Sequence, residues 1–349
     1  MDILPIAQIK RLASESRLDA RVHAQIENLS RKDTREGKPF YEIVLTDGEA
    51  RITLRAWSDA PAFAFCERSC VGVFVEVSGE FSVNGTFGVE SKRWTVRELN
   101  ADERDILLGG TAVTREKQRA DYADIEGIVG SIRDPRLAAL TQAFLSEYGE
   151  RFRRAAAARH NHHARRGGLV EHVAQMMRSA AAIANVYPHL NKDLLITGVL
   201  FHDCGKLWEN QLPADGFIMP YTETGELLGH ISIGIELINN LWRKLAVGEE
   251  WKQWISLDPA NEDVRLHLLH LIASHHGELQ FGSPVVPKTP EAWALHYVDN
   301  LDAKLEMMAL GYANAKHIAP RIQERAWPLA GHFVQPLSTF DLPGETSAE

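Results

Sequence analysis

Hydrophobic residues in this chain recur at two different periods, and the change from one to the other is what most limits the fold. Up to about residue 100 they alternate. Val22, Ala24 and Ile26 alternate with Arg21, His23, Gln25 and Glu27, and Tyr41, Ile43 and Leu45 share one face. Ile52, Leu54 and Ala56 oppose Arg51, Thr53, Arg55 and Trp57, and Val73, Val75 and Val77 form a fourth run. A period of two is that of half-buried strands. Gly37-Lys38-Pro39 supplies a turn, and Asn84-Gly85 between Phe81-Ser82-Val83 and Thr86-Phe87-Gly88-Val89 is a hairpin signal. Five strands in about eighty residues, with no convincing helix, predict a small five-stranded barrel of the OB-fold type.

From about residue 120 the spacing becomes helical. Asp134-Pro135 opens one helix with a cap and a proline at its first position. Gly167-Gly168 leads into the stripe Leu169, Val173, Met176, Ala180 and Ile183, and Asn191 caps a run through Leu194, Leu195 and Val199 to His202. Further helices are expected over 226–245, 262–276 and 290–310, the last opened by Thr289-Pro290. The expected organisation is multidomain, α and β: a barrel over 1–100, a polar connector over 101–119, an all-α domain over 120–312 and an irregular, proline-bearing tail over 313–349. The length of 349 residues agrees with two domains, at roughly 150 residues each.

Composition sharpens the division. Of 15 histidines only His23 lies in the first hundred residues. Residues 1–100 hold 14 Lys and Arg against 15 Asp and Glu, whereas the remainder holds 24 against 32. A nearly neutral barrel therefore precedes an acidic, histidine-rich domain. The formal charge of −9 argues against a generally basic coat for nucleic acid, though not against a local patch. Three cysteines, Cys66, Cys70 and Cys204, exclude a disulfide scaffold and suit a reducing, cytoplasmic setting. No secretory signal or membrane-spanning run is expected.

The helical domain carries His172, the pair His202-Asp203, His230, the pair His275-His276, and Asp299. Helical spacing turns His172, His202, His275 and Asp299 towards the interior that holds Leu169, Val199, Leu271 and Leu295. Singly, each would be a satisfied core residue. Together, so many buried ligand-type groups would cost several kcal/mol each unless paired or metal-bound. Imidazole and carboxylate suit Zn, Mn, Fe and similar divalent ions.

This order of residues resembles the HD-domain superfamily of metal-dependent phosphohydrolases, and His230 with His275-His276 resembles its two-metal branch. Longer stretches are similar to the YhaM-type 3′→5′ exoribonucleases: Asn161-His162-His163-Ala164, Gly167-Gly168-Leu169-Val170-Glu171-His172, Leu227-Leu228-Gly229-His230, Ser274-His275-His276-Gly277-Glu278-Leu279, Phe281-Gly282-Ser283-Pro284 and Asp299-Asn300-Leu301-Asp302-Ala303-Lys304. That family also places an OB-fold ahead of its HD domain. The resemblance implies His172, His202, Asp203 and Asp299 on one ion and Asp203, His230 and His275 or His276 on the other. Manganese is the expected metal, with iron, cobalt or magnesium as substitutes. Cys204 departs from the aliphatic residue commoner after the HD pair, and oxidation there could poison the site.

Lys206, three residues after Asp203, either neutralises the scissile phosphate or is an ordinary helix-end lysine. His162, His163, Arg165 and Arg166 precede a helix N-terminus, which favours anions. They read as substrate or leaving-group contacts, with His163 the candidate acid, or as a solvated basic loop. Arg51, Arg55 and Trp57 share a strand face, and Lys92, Arg93 and Trp94 extend it. They offer phosphate pairing and base stacking, or else ordinary barrel filling. The expected partner is single-stranded RNA or DNA, with no membrane, and a homo-oligomer is compatible with the sequence. A small-nucleotide phosphodiesterase and a non-catalytic RNA-binding adaptor are the rival readings.

Overall fold

A computed structural model of the chain describes residues 1–84, 88–91, 93–158, 163, 165–211, 216–249, 251–315, 317–325 and 329–338. The N-terminal domain is built on strands β1 (Leu18–Asp33), β2 (Pro39–Thr46), β3 (Arg51–Trp57), β4 (Phe74–Asn84), β5 (Gly88–Ser91) and β6 (Thr95–Glu98). Their order is β3-β2-β1-β4-β5, all antiparallel, and β6 joins β4 beyond the end of β5. The long β1 serves two neighbours. Leu18 to Gln25 pair with β4 and Gln25 to Asp33 with β2, and a register shift between Ile26 and Asn28 bends the strand where it changes partner. With β3 packed beside β5, the five strands form a nearly closed barrel. Its interior is the alternating set read from the sequence: Ala20, Val22, Ala24, Ile26, Ile43, Leu45, Leu54 and Val75 are buried.

Two helices also belong to the barrel, against the expectation of none. Ile6–Glu15 buries Ile6, Ile9 and Ala13, and Phe63–Arg68 buries Cys66. At 10 and 6 residues they are too short for helical periodicity to stand out, and neither has a side-chain cap. Trp94 is a second correction. It is fully buried, and its indole N–H donates to the Arg55 carbonyl at 3.1 Å. It fills the barrel and offers no stacking face. Lys92 and the turn at 85–87 lie outside the described residues, but the flanking strands pair as a hairpin, Asn84 opposite Gly88.

The expected connector is helical. Asn100 and Glu103 form a capping box for Ala101–Leu108, and Thr111 caps Ala112–Val129. No residue of the first of these helices is buried, so it has no apolar stripe to read. The second carries Tyr122, Ile125 and Val129 into the helical core. That core is shared by Pro135–Arg154, Gly168–Val186, Lys192–Phe201, Glu223–Ala246, Asn261–Ser274 and Pro290–Asn314. Caps fall where the sequence placed them: Asp134 accepts from Arg136 N, Asn191 from Leu194 N and Thr289 from Ala292 N. The tail is not wholly irregular. His317–Ala319, Ile322–Gln323 and Phe333–Val334 make a small sheet, and Phe333 packs on Tyr312 with ring centroids 5.6 Å apart. Among the described residues no helix is long and apolar enough to cross a membrane.

Barrel and helices touch through the segment after residue 215. The Phe217 N–H donates to Gln25 at 2.8 Å, and the Phe217 ring meets Phe74 edge-on.

Candidate metal centre

Four helix ends and one helix face bring the expected ligands together. His172 lies in the first turns of Gly168–Val186, and His202-Asp203 follow the last residue of Lys192–Phe201. His275-His276 follow Asn261–Ser274, and Asp299 projects from Pro290–Asn314. His230 sits just after a break inside Glu223–Ala246, where Gly229 adopts φ 66° and ψ 161°. That conformation is open to glycine and strained for other residues. Gly205 is needed for a different reason. A Cβ there would lie 1.9 Å from the His230 carbonyl oxygen, so only glycine lets the turn after Asp203 approach His230.

The donors fall into two groups that share Asp203. In the first, His172 Nε2 lies 3.3 Å from His202 Nε2, 3.4 Å from Asp299 Oδ1 and 3.9 Å from Asp203 Oδ2. In the second, Asp203 Oδ1 lies 3.5 Å from His230 Nε2 and 3.7 Å from His275 Nε2, with His276 alongside. One carboxylate oxygen thus faces each group. His172, His202, Asp203 and His275 are all buried, yet among the described residues Asp203 Oδ1, His230 Nε2 and His275 Nε2 have no hydrogen-bond partner. Three converging orphan atoms in one interior would be costly without a cation among them.

The far side of each imidazole shows why these nitrogens are open. The Nδ1–H groups of His202, His275 and His276 donate to the carbonyls of Val199, Ile272 and Phe281, each at 2.8 Å. A carbonyl can only accept, so the proton sits on Nδ1 and Nε2 keeps its lone pair. Carboxylates do the same work elsewhere: Asp302 is 2.6 Å from His172 Nδ1, and Glu209 is 3.1 Å from His230 Nδ1. Such partners orient ligands and raise their basicity. Neither Asp302 nor Glu209 is picked out as a site residue by the sequence reading. Asp302 had a signal, since it stands three residues after Asp299 and so on the same side of the helix. Glu209 had none.

Charge follows geometry. Burial would raise the Asp203 carboxyl, but the Lys206 ammonium, 2.6 Å away, and neighbouring histidines hold it well below the usual carboxylate range. Asp299 is likewise held down against burial by His172. Burial and the nearby His202 and His276 keep His275 neutral. For His172 burial opposes charge, yet Asp299 and Asp302 outweigh it and hold the ring up at about 9. The anionic pair therefore demands a cation, and without an ion a proton on His172 serves. Neutral imidazoles and ionised carboxylates are the states a divalent ion needs, so the donor set fits divalent metal. Cys204 does not join it. Burial pushes its thiol up, and its Sγ faces the Gly234 carbonyl. Oxidation needs the thiolate, so the expected poisoning has no reactive group behind it.

Other candidates lie elsewhere. Lys206 donates to Asp203 and to the Ala157 carbonyl, which makes it part of the centre's charge balance. His163 is buried behind His172, its Nε2 3.1 Å from the same Asp302 oxygen. It supports a ligand from behind and is not placed as an acid for a leaving group. Arg165 is a further correction. Its guanidinium grips Glu171 at 2.5 and 3.1 Å and reaches Glu306 at 3.3 Å, so it is already committed to carboxylates. Arg166 lines a cleft between barrel and helices, with Arg51 across from it and Phe217 in its wall. Arg51 pairs with Glu27 at 2.5 Å, and Arg55 is 4.0 Å from Glu42. Trp57 is 40% exposed beside Phe40. His162 lies outside the described residues.

The solution NMR structure of the replication factor A related protein from Methanobacterium thermoautotrophicum is similar over 26% of this chain and 88% of that one. Identity there is 17% and the TM-score 0.21, too low to bear on function. Residues 169–304 match the family model described as HD domain, and that span contains all seven presumptive ligands. A barrel of the OB type is thus followed by an all-α HD domain, and the HD domain indicates a metal-dependent phosphohydrolase.

Proposed function

We propose that the chain is a 3′→5′ exonuclease that hydrolyses single-stranded RNA, or RNA and DNA both, to nucleoside 5′-monophosphates. The observation that carries this reading is Asp203, with one oxygen turned to each of two donor groups, and in the second group Asp203 Oδ1, His230 Nε2 and His275 Nε2 have no hydrogen-bond partner among the described residues. Two divalent ions held there supply Lewis acidity, lowering the pKa of water and offsetting the charge of phosphate oxygens. Manganese is the ion we expect. The residues of the chain do the rest. Asp203 and Asp299 fix charge, Asp302 and Glu209 aim the imidazoles, and Lys206 stands beside Asp203 where it can counter a non-bridging phosphate oxygen. The barrel offers Trp57 for stacking, and Arg51 faces the cleft that Arg166 lines from the helical side. A strand lying across that cleft would be gripped by both domains.

One observation favours a second reading. Arg51 and Arg55 already face Glu27 and Glu42, so the barrel's cationic face is partly neutralised. A small-nucleotide phosphodiesterase would need no such face. The deciding experiment uses metal-stripped protein, 3′- and 5′-labelled oligonucleotides, and add-back of Mn, Mg, Fe, Co and Zn. The exonuclease reading requires metal-dependent loss of the 3′ label as mononucleotide and a ladder from the 5′ label. It also requires Trp57→Ala to weaken long single strands by about 1–3 kcal/mol. Turnover of small diesters alone would establish the other reading.

A further inference from the structure

Next to the metal centre, the turn Leu279–Phe281 and the helix Pro290–Asn314 enclose a pocket of about 370 Å³. Its floor includes Asp203, His276 and Asp299, and its rim carries Phe281, Asn300 and Lys304. Phe281 is 56% exposed, an aromatic ring left in water beside a site made of charges. Its position is tied to the centre, because its carbonyl accepts from His276 Nδ1 and Gly282 ends the turn at φ 84°. Asn300 adjoins Asp299, and Lys304 lies four residues further on, the spacing that puts both on one side of a helix. Among the described residues neither side chain has a hydrogen-bond or ion-pair partner.

A stacking surface, a free amide and a free ammonium within one small pocket correspond to the base, sugar and phosphate of a nucleotide. The volume is at the low end of the roughly 300–1,000 Å³ typical of small-molecule sites. It has room for one nucleotide and not for a continuous strand. Building on the exonuclease reading above, we propose that this pocket seats the terminal nucleotide. The base stacks on Phe281, Asn300 hydrogen-bonds the sugar or base edge, and Lys304 counters the adjoining phosphate. A base held there is parted from its neighbour and from any pairing partner. The same seat therefore selects single strands and limits each turnover to one nucleotide.

The test compares two oligonucleotides, identical except that one has an abasic 3′-terminal residue. Both are given to the wild type and to Phe281→Ala, Phe281→Trp and Lys304→Gln, loaded with manganese and checked for metal content. KM and kcat form one readout, and binding of the same oligonucleotides by metal-stripped protein, followed by fluorescence anisotropy, forms the other. In the wild type the abasic end should raise KM and weaken binding about tenfold, the scale of one lost stack. Phe281→Ala should bind the intact oligonucleotide as poorly as the abasic one, and Phe281→Trp should restore the difference. Lys304→Gln should weaken both substrates alike and lower the salt slope by about one. If Phe281→Ala still discriminates against the abasic end as the wild type does, the pocket assignment falls while the exonuclease reading stands. Failure of the wild type to hydrolyse either oligonucleotide, with small diesters still cleaved, overturns both.

Discussion

Each domain of this molecule gathers a group of histidine and carboxylate side chains, and the two groups differ in what closes them. In the barrel, His23, Glu76 and Glu103 converge, but Arg97 lies among them. Its guanidinium is 3.0 Å from Glu76 and 2.7 Å from Glu103, while His23 Nε2 is 3.0 Å from Glu76. The protein supplies its own cation, and none of these side chains is left without a hydrogen bond. In the helical domain Lys206 meets one oxygen of Asp203, whereas the other oxygen and two facing imidazole nitrogens stay open. Ligand-type residues in proximity do not make a metal site. Unpartnered donors, held open by hydrogen bonds on their far sides, do.

The largest expected effect is at the shared carboxylate. Asp203→Ala should abolish hydrolysis and empty both ion positions, read by elemental analysis alongside turnover. Near-normal activity would end the two-ion interpretation. Next comes the second group alone. His230→Ala should roughly halve the metal stoichiometry, and Glu209→Gln should lower affinity for that ion about 10–100-fold, as titration calorimetry would show. Equal loss of both ions from the Glu209 variant would contradict the division into two groups.

The barrel group should behave in the opposite way. Glu76→Gln removes the negative charge shared by His23, Arg21 and Arg97 and one of the two accepting oxygens. It should cost about 1–3 kcal/mol of stability, since its arginine partners still reach water, and leave metal content unchanged. A loss of bound metal in that variant would erase the contrast. The smallest effect concerns Glu171, a second closed group, bridged by Arg165 and Lys117. Burial would raise this carboxyl, but Arg165, Gln118 and Lys117 outweigh it and hold it at about 2. An unfolded glutamate titrates near 4.3. Its contribution is thus complete above that value and drains away as pH falls towards 2. Thermal melts of wild type and Glu171→Gln should converge across that interval. Parallel curves would show that the ion pairs contribute nothing.

Much of the molecule was legible in the order of residues alone. Alternation fixes which faces of β1 to β4 turn inwards, because a strand's side chains change sides at every residue. The caps at Asp134, Asn191 and Thr289 fix helix starts, because a side-chain acceptor must stand where the first backbone donors are free. The inward facing of His172, His202, His275 and Asp299 was readable for the same reason, each lying at helical spacing from an apolar neighbour, whereas Asp203, His230 and His276 stood out only through the family resemblance. What the sequence could not carry is partnership across distance. Arg165 reads as a phosphate ligand until Glu171 and Glu306 are found around it, and Trp94 reads as a platform until the barrel closes over it. His163 and Glu209 acquire their places only when Asp302 and His230 arrive from elements 139 and 21 residues away. Local spacing dictates which way a side chain faces. Only the packed fold decides which opposite charge, carbonyl or empty space it meets there.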